Sequence, residues 1–221
     1  MATLQKGNQM KTPLEWLLEK DNPSVRYFAL KHLLDRSEDD PDVQAARRAI
    51  MRSEPIKKIL AAQESEGYWA KSGSAYWPSY RSTAWQVLFL AELGANGRNR
   101  QVHRGCEYLL KHAQAIHGGL SMLPNAAPRG AMHFSYTSDV LEASLALCEA
   151  GYAHDPRLKN AIDLVLAKRD ADGRWVMKHS FNGKMWADIE TKGQPSKWVT
   201  LRALRVLKAA GRITSSSESE A

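Results

Sequence analysis

Leu60-Ala61-Ala62-Gln63-Glu64-Ser65-Glu66-Gly67-Tyr68-Trp69 decides the fold, because the chain repeats it without gaps as Leu166-Ala167-Lys168-Arg169-Asp170-Ala171-Asp172-Gly173-Arg174-Trp175. A damaged copy runs from Leu110 through Gln114 to Gly118 and Leu120, without the tryptophan. Repetition at roughly 50–60 residues marks supersecondary units that stack on one shared core. It speaks for architecture more than for chemistry.

Working outward, the helix boundaries are written in prolines and glycines. Thr12-Pro13, Asn22-Pro23, Asp40-Pro41, Glu54-Pro55 and Asp155-Pro156 each put a polar residue before a proline. A polar side chain suits the N-cap, and proline loses nothing at the first helical position. Gly94, Gly151 and Gly211 stand where three other helices should stop. The pattern predicts helices near 13–20, 23–35, 41–52, 55–63, 80–93, 100–114, 137–150, 156–168 and 196–210. No stretch alternates convincingly as a strand, so the class expected is all-α.

Two kinds of helix alternate in the second part. The segment 100–114 carries one apolar stripe (Val102, Cys106, Leu109, Leu110, Ala113), as does 156–168 (Leu158, Ala161, Ile162, Val165, Leu166). Segments 80–93 and 137–150 are apolar nearly all round and are expected to be covered on most sides. Alternation of this kind predicts inner helices enclosed by outer ones, a two-layer array over residues 63–213. Residues 1–62, with Asn22-Pro23-Ser24-Val25-Arg26-Tyr27-Phe28-Ala29-Leu30, read as a HEAT-like N-terminal helical cap on that array. The serine- and glutamate-rich residues 214–221 read as a disordered tail.

Composition narrows the setting. The 221 residues can bury a sizeable core, and no apolar run approaches the ~20 residues needed to cross a bilayer. The polar start, Met1 to Lys11, predicts no secretory leader, and Cys106 and Cys148 lie in helical segments as small hydrophobes. A cytoplasmic protein is expected. The formal charge is +7, but the basic residues are dispersed and no nucleic-acid motif is present, so nucleic acid is not the expected partner.

Gln63-x3-Gly67-x-Trp69 and Arg169-x3-Gly173-x-Trp175 resemble the QW-type repeat of the squalene cyclase, terpene cyclase and protein prenyltransferase superfamily. Phe181-Asn182-Gly183-Lys184-x-Trp186-x-Asp188-Ile189-Glu190 leading into Lys197-Trp198, with Pro13-Leu14-x-Trp16-Leu17-Leu18, is similar to bacterial prenyltransferase/squalene-oxidase repeat proteins. The resemblance implies an α/α-toroid of helical hairpins, in which the glutamine and tryptophan tie a helix end to the next turn. The chain is short for that group, so an incomplete ring, or one completed by a homodimer, is expected.

The catalytic marks of the superfamily are missing. No D-x-D-D acid occurs, Asp39-Asp40-x-Asp42 reads as helix capping, and the cysteines and histidines show no zinc-ligand spacing. The catalytic residues are therefore unknown and no cofactor is expected, with Mg²⁺ entering only if the chain acts on an isoprenoid diphosphate. Candidate ligand contacts come instead from the long connections 64–79, 115–136 and 169–195 and the helix starts that follow them. They are Trp77, Tyr80, Arg81, Trp85, His133, Tyr136, Asp139, Trp186, Lys197 and Trp198. Aromatic walls with a cationic rim at helix N-termini suit an apolar ligand with an anionic head, isoprenoid-like in character. The alternatives are a terpene-cyclase- or prenyltransferase-like enzyme and a HEAT-like protein-interaction scaffold.

Overall fold

A computed structural model describes residues 11–113 and 140–213. Among them the regular structure is helical, in α1 (Pro13–Leu17), α2 (Pro23–His32), α3 (Pro41–Ile50), α4 (Glu54–Ala61), α5 (Thr83–Glu92), α6 (Arg100–His112), α7 (Val140–Leu147), α8 (Lys159–Ala167) and α9 (Lys197–Ala209). A π-turn (Cys148–Tyr152) follows α7 and a 3₁₀ turn (Pro156–Leu158) precedes α8. Among the described residues the one β-like feature is an isolated antiparallel bridge between Val176 and Pro195.

The caps form as the sequence dictates. Thr12 and Glu15 close a capping box on α1, and Asn22 accepts from the Val25 N–H. Asp40 accepts from the Asp42 and Val43 N–H groups, at 2.8 and 3.2 Å, so the aspartate-rich stretch is a helix start. Proline leads α1, α2 and α3, and the 3₁₀ turn before α8. At Glu54-Pro55 the boundary shifts by one. Ser53 is the cap residue and Pro55 the second helical residue, and the Ser53 hydroxyl donates back to the Ile50 carbonyl rather than capping α4. Gly94, Gly151 and Gly211 all hold left-handed backbone, as helix-ending glycines should.

The chain divides into two compact units. Of the described residues, the first takes 11–38, 140–177 and 193–213, and the second takes 39–113 and 178–192. The sequence boundary expected at residue 62 does not coincide with this division: α1 and α2 belong with α7, α8 and α9, whereas α3 and α4 belong with α5 and α6.

In the first unit α9 is the enclosed helix, packed on α1, α2, α7 and α8. Its Leu201, Leu204 and Leu207 are buried with Leu17, Val25, Ala29, Ile162, Val165 and Trp175. Each such leucine contributes about 1.5–3 kcal/mol of burial free energy. In the second unit Val43, Ile50, Ile56, Ile59, Trp69 and Leu90 are buried, and α5 packs on α4 and α6. The apolar segments 80–93 and 137–150, expected to be covered on most sides, are only partly covered where they are described. Trp85, Val87, Leu88 and Phe89 on α5 are half-buried, and Val140 and Leu147 on α7 are exposed.

The two full repeats fold alike. Trp69 Nε1 donates to the Ile59 carbonyl and Trp175 Nε1 to the Val165 carbonyl, each at 2.7 Å. The Trp69 and Trp175 backbone N–H groups donate to Thr83 Oγ1 (3.2 Å) and Thr200 Oγ1 (3.0 Å). Gly67 and Gly173 turn the chain in left-handed backbone, each donating to the residue three positions back. Gln63 Nε2 reaches the Gly67 and Gln101 carbonyls at 3.1 and 2.9 Å. In the second copy that position is the exposed Arg169, and the turn is braced by Asp170, which accepts from the Arg174 and Asp172 N–H groups at 2.7 and 3.0 Å. The weaker copy from Gln114 onward lies outside the described residues.

Candidate functional site

The second unit gathers aromatic and cationic side chains from two segments, the connection before α5 and residues 178–192. The connection comes first. Gly73 N–H donates to the Tyr108 hydroxyl at 2.6 Å, and Ala84 N–H donates to the Ala75 carbonyl at 2.8 Å. Beyond them Tyr76 and Tyr80 both pack on Trp85, with ring centroids 5.7 and 4.9 Å away. Tyr80 adopts left-handed backbone at φ +66°. Non-glycine residues avoid that region, so the helix expected from residue 80 starts at Thr83. The Tyr80 carbonyl is held by Gln86 Nε2 at 2.8 Å. Trp77 stands out from the fold, 64% exposed.

Residues 178–192 are shaped by their own polar side chains. Asp188 accepts from the Gly183 N–H at 2.8 Å, and Asn182 Nδ2 donates to the Glu190 carbonyl at 2.6 Å. Asp188 thus shapes a turn. This loop brings Phe181 flat onto Tyr80 (4.8 Å, 27° between planes) and Trp186 Nε1 to the Arg81 carbonyl at 3.0 Å. Arg81 Nε donates to the Lys184 carbonyl at 3.2 Å while its guanidinium lies 5.2 Å from the Trp186 ring. Lys184 Nζ lies 5.8 Å from the Tyr80 ring. The result is a chain of touching rings, Phe181–Tyr80–Trp85–Phe89, bordered by two cations on aromatic faces. Aromatic contacts are worth about 0.5–1.5 kcal/mol each and exposed cation–π contacts about 0.5–1 kcal/mol.

Of the expected contacts, Tyr80, Arg81, Trp85 and Trp186 come together here, and Trp77 sits exposed on the same connection. His133, Tyr136 and Asp139 lie outside the described residues. Lys197 and Trp198 belong to the first unit and have partners there. Lys197 is 6% exposed, 2.8 Å from Glu19 and 2.5 Å from Asp21, and its ammonium lies over the Trp16 ring. Lys11 and Lys197 together hold the Glu19 carboxyl below its ordinary range through hydrogen bonds. Trp198 packs near Phe28 at 6.1 Å. Tyr76, Phe181, Lys184 and Gln86 join the site although the sequence reading did not place them in it. The sequence marks the loop by the length of the connection 169–195, and Asn182-Gly183 within it is a turn pair.

In the first unit a cleft of about 330 Å³ is lined by His32, Asp35, Leu145, Cys148, Glu149, Arg205, Lys208 and Ala209. Its charges are matched in pairs: Lys208 bonds Asp35 and two backbone carbonyls, and Arg205 bonds Glu149. Burial pushes the Cys148 thiol up and the His32 imidazole down. Among the described residues no group of three His, Cys, Asp or Glu side chains could hold a metal ion, and no helix is long and apolar enough to cross a membrane.

Compared with known proteins, the chain matches no family model, no curated protein and no solved structure.

Proposed function

We propose that this protein binds a small amphipathic ligand at the ring cluster of its second unit and does so without catalysis. The observation that carries the reading is the Phe181–Tyr80–Trp85 stack with Arg81 and Lys184 at its edge. The rings offer an apolar platform. Arg81, with Nε engaged by the Lys184 carbonyl, would turn its terminal N–H fork to an anionic head. An isoprenoid-like acid or phosphate combines those two properties.

The finer architecture, an incomplete α/α-toroid related to QW-type repeat proteins, belongs to the same proposal. It is supported by the two turns at Gly67–Trp69 and Gly173–Trp175, which make the same bonds. Completion of the array by a second copy is a further part of it, checked by light scattering.

Titration calorimetry with farnesyl diphosphate and with dodecanoate tests the reading. At least one should bind, and Arg81→Ala and Trp186→Ala should each weaken it about ten-fold, the worth of one charge-assisted or aromatic contact. No heat from either compound at millimolar concentration would refute it. Turnover of the diphosphate with Mg²⁺ would favour the enzyme alternative.

A further inference from the structure

Three polar atoms at the head of α5 are sealed from water and have no hydrogen-bond partner: Ser82 Oγ, Trp85 Nε1 and Gln86 Oε1. Ser82 and Gln86 are 0% exposed. Native proteins keep few such groups, because a buried donor or acceptor without a partner costs its full desolvation.

Their placement is not random. Ser82, Trp85 and Gln86 stand at i, i+3 and i+4, one face of the first helical turn. Ser82 is the N-cap of α5 but makes no capping bond. The corresponding Ser196 of α9 accepts from the Val199 N–H at 3.0 Å, so the same residue type caps normally in this chain. Gln86 spends its Nε2 on the Tyr80 carbonyl, which leaves the oxygen as its free end. The ring that carries Trp85 Nε1 is also the centre of the aromatic cluster.

We propose that these three atoms are the polar floor of the ligand site and receive an uncharged group that both donates and accepts, a hydroxyl. Trp85 Nε1–H can only donate, Gln86 Oε1 can only accept, and the Ser82 hydroxyl can do either. A hydroxyl oxygen accepts from Trp85 while its proton goes to Gln86. A charged head does not fit, because the set holds no countercharge and burying an ion among neutral groups is costly. Tyr80 borders this set with its ring on Trp85 and its backbone carbonyl on Gln86 Nε2, so on this reading the ligand displaces the Tyr80 ring from Trp85. This rests on the binding reading above and sharpens it: the ligand class is a hydroxylated apolar acid, with its anion at Arg81 and Lys184 and its hydroxyl at the head of α5.

The test compares 12-hydroxydodecanoate with dodecanoate by calorimetry on the full chain. The hydroxylated acid should bind about ten-fold tighter, the scale of one or two buried hydrogen bonds. In Ser82→Ala and in Trp85→Phe that preference should fall to about one. Thermal melts confirm folding. Ser82→Ala removes only an unpartnered polar atom and should not melt below the parent. Trp85→Phe also trims ring contacts with Tyr76, Tyr80 and Phe89, so it should stay folded with a lower Tm. Equal binding of the two acids overturns this inference and leaves the binding reading standing. So does a preference that survives in both variants, for the hydroxyl is then read elsewhere. Binding of neither acid removes the inference together with that support for the reading.

Discussion

Trp175→Phe keeps an aromatic ring in the second repeat turn and removes the indole N–H. That N–H donates at 2.7 Å to the Val165 carbonyl, and both residues are buried. Losing the donor removes one of two bonds to the Val165 carbonyl, which keeps the Lys168 N–H at 3.2 Å, a cost of about 0.5–1.5 kcal/mol. The smaller ring adds about 1–2 kcal/mol in lost burial and incomplete collapse. The expected loss is therefore about 2.5 kcal/mol, or a fall in Tm of roughly 5–10 °C for a chain of this size. Trp69→Phe breaks the matching bond to Ile59 and should cost the same within about 1 kcal/mol. Urea unfolding followed by circular dichroism measures both, with the exposed Trp77→Phe as a control expected within about 0.5 kcal/mol of zero. A cost below about 1 kcal/mol at either buried tryptophan would refute the view that these bonds lock the turns.

Gly105→Ala gains helix propensity of about 1 kcal/mol, but its new Cβ would sit 2.7 Å from the Trp69 ring, an overpacking cost of about 1–3 kcal/mol. A net loss is expected in the same urea assay. Gly173→Ala should cost more, about 3 kcal/mol, because it adds left-handed strain at φ +77° to a 2.5 Å clash with Pro13. The Glu19 carboxyl is depressed below its ordinary 4.5 chiefly by its hydrogen bonds to Lys11 and Lys197. Its contribution is whole above pH 4.5 and fades as pH falls through the depressed folded value, so the urea midpoint should drop on acidification and Glu19→Gln should flatten that drop. Burial, more than the neighbouring Glu149, raises the Cys148 thiol. It should react with a disulfide reagent at pH 8 only slowly until denaturant is added.

The features legible in the sequence are those fixed by local chemistry. Polar–proline pairs mark helix starts because the caps span three residues, and Gly67 and Gly173 had to be glycines because the turn is left-handed. The tryptophans were legible through their spacing, but their threonine partners were not. Thr83 heads α5 whereas Thr200 sits a turn inside α9, so no fixed offset connects them. Lys197 read as a cationic rim residue because Glu19 and Asp21, which enclose it, are remote in the chain. The site loop was the hardest part. Phe181 and Trp186 reach Tyr80 and Arg81 through long-range contacts that no periodicity encodes. The delayed start of α5 follows from the backbone of Tyr80, a tyrosine in a conformation that the sequence gives no reason to expect.

The neck of that loop is closed twice, by Met177 N–H on the Gln194 carbonyl at 3.0 Å and by Gly193 N–H on the Met177 carbonyl at 2.8 Å. A segment whose two ends already touch can change length or sequence at little entropic cost to the scaffold that holds it. Residues 178–192 therefore behave as an interchangeable cassette. An engineer could replace it with a tight turn, which would take Phe181, Lys184 and Trp186 away from Tyr80 and Arg81 while leaving the neck bonds in place.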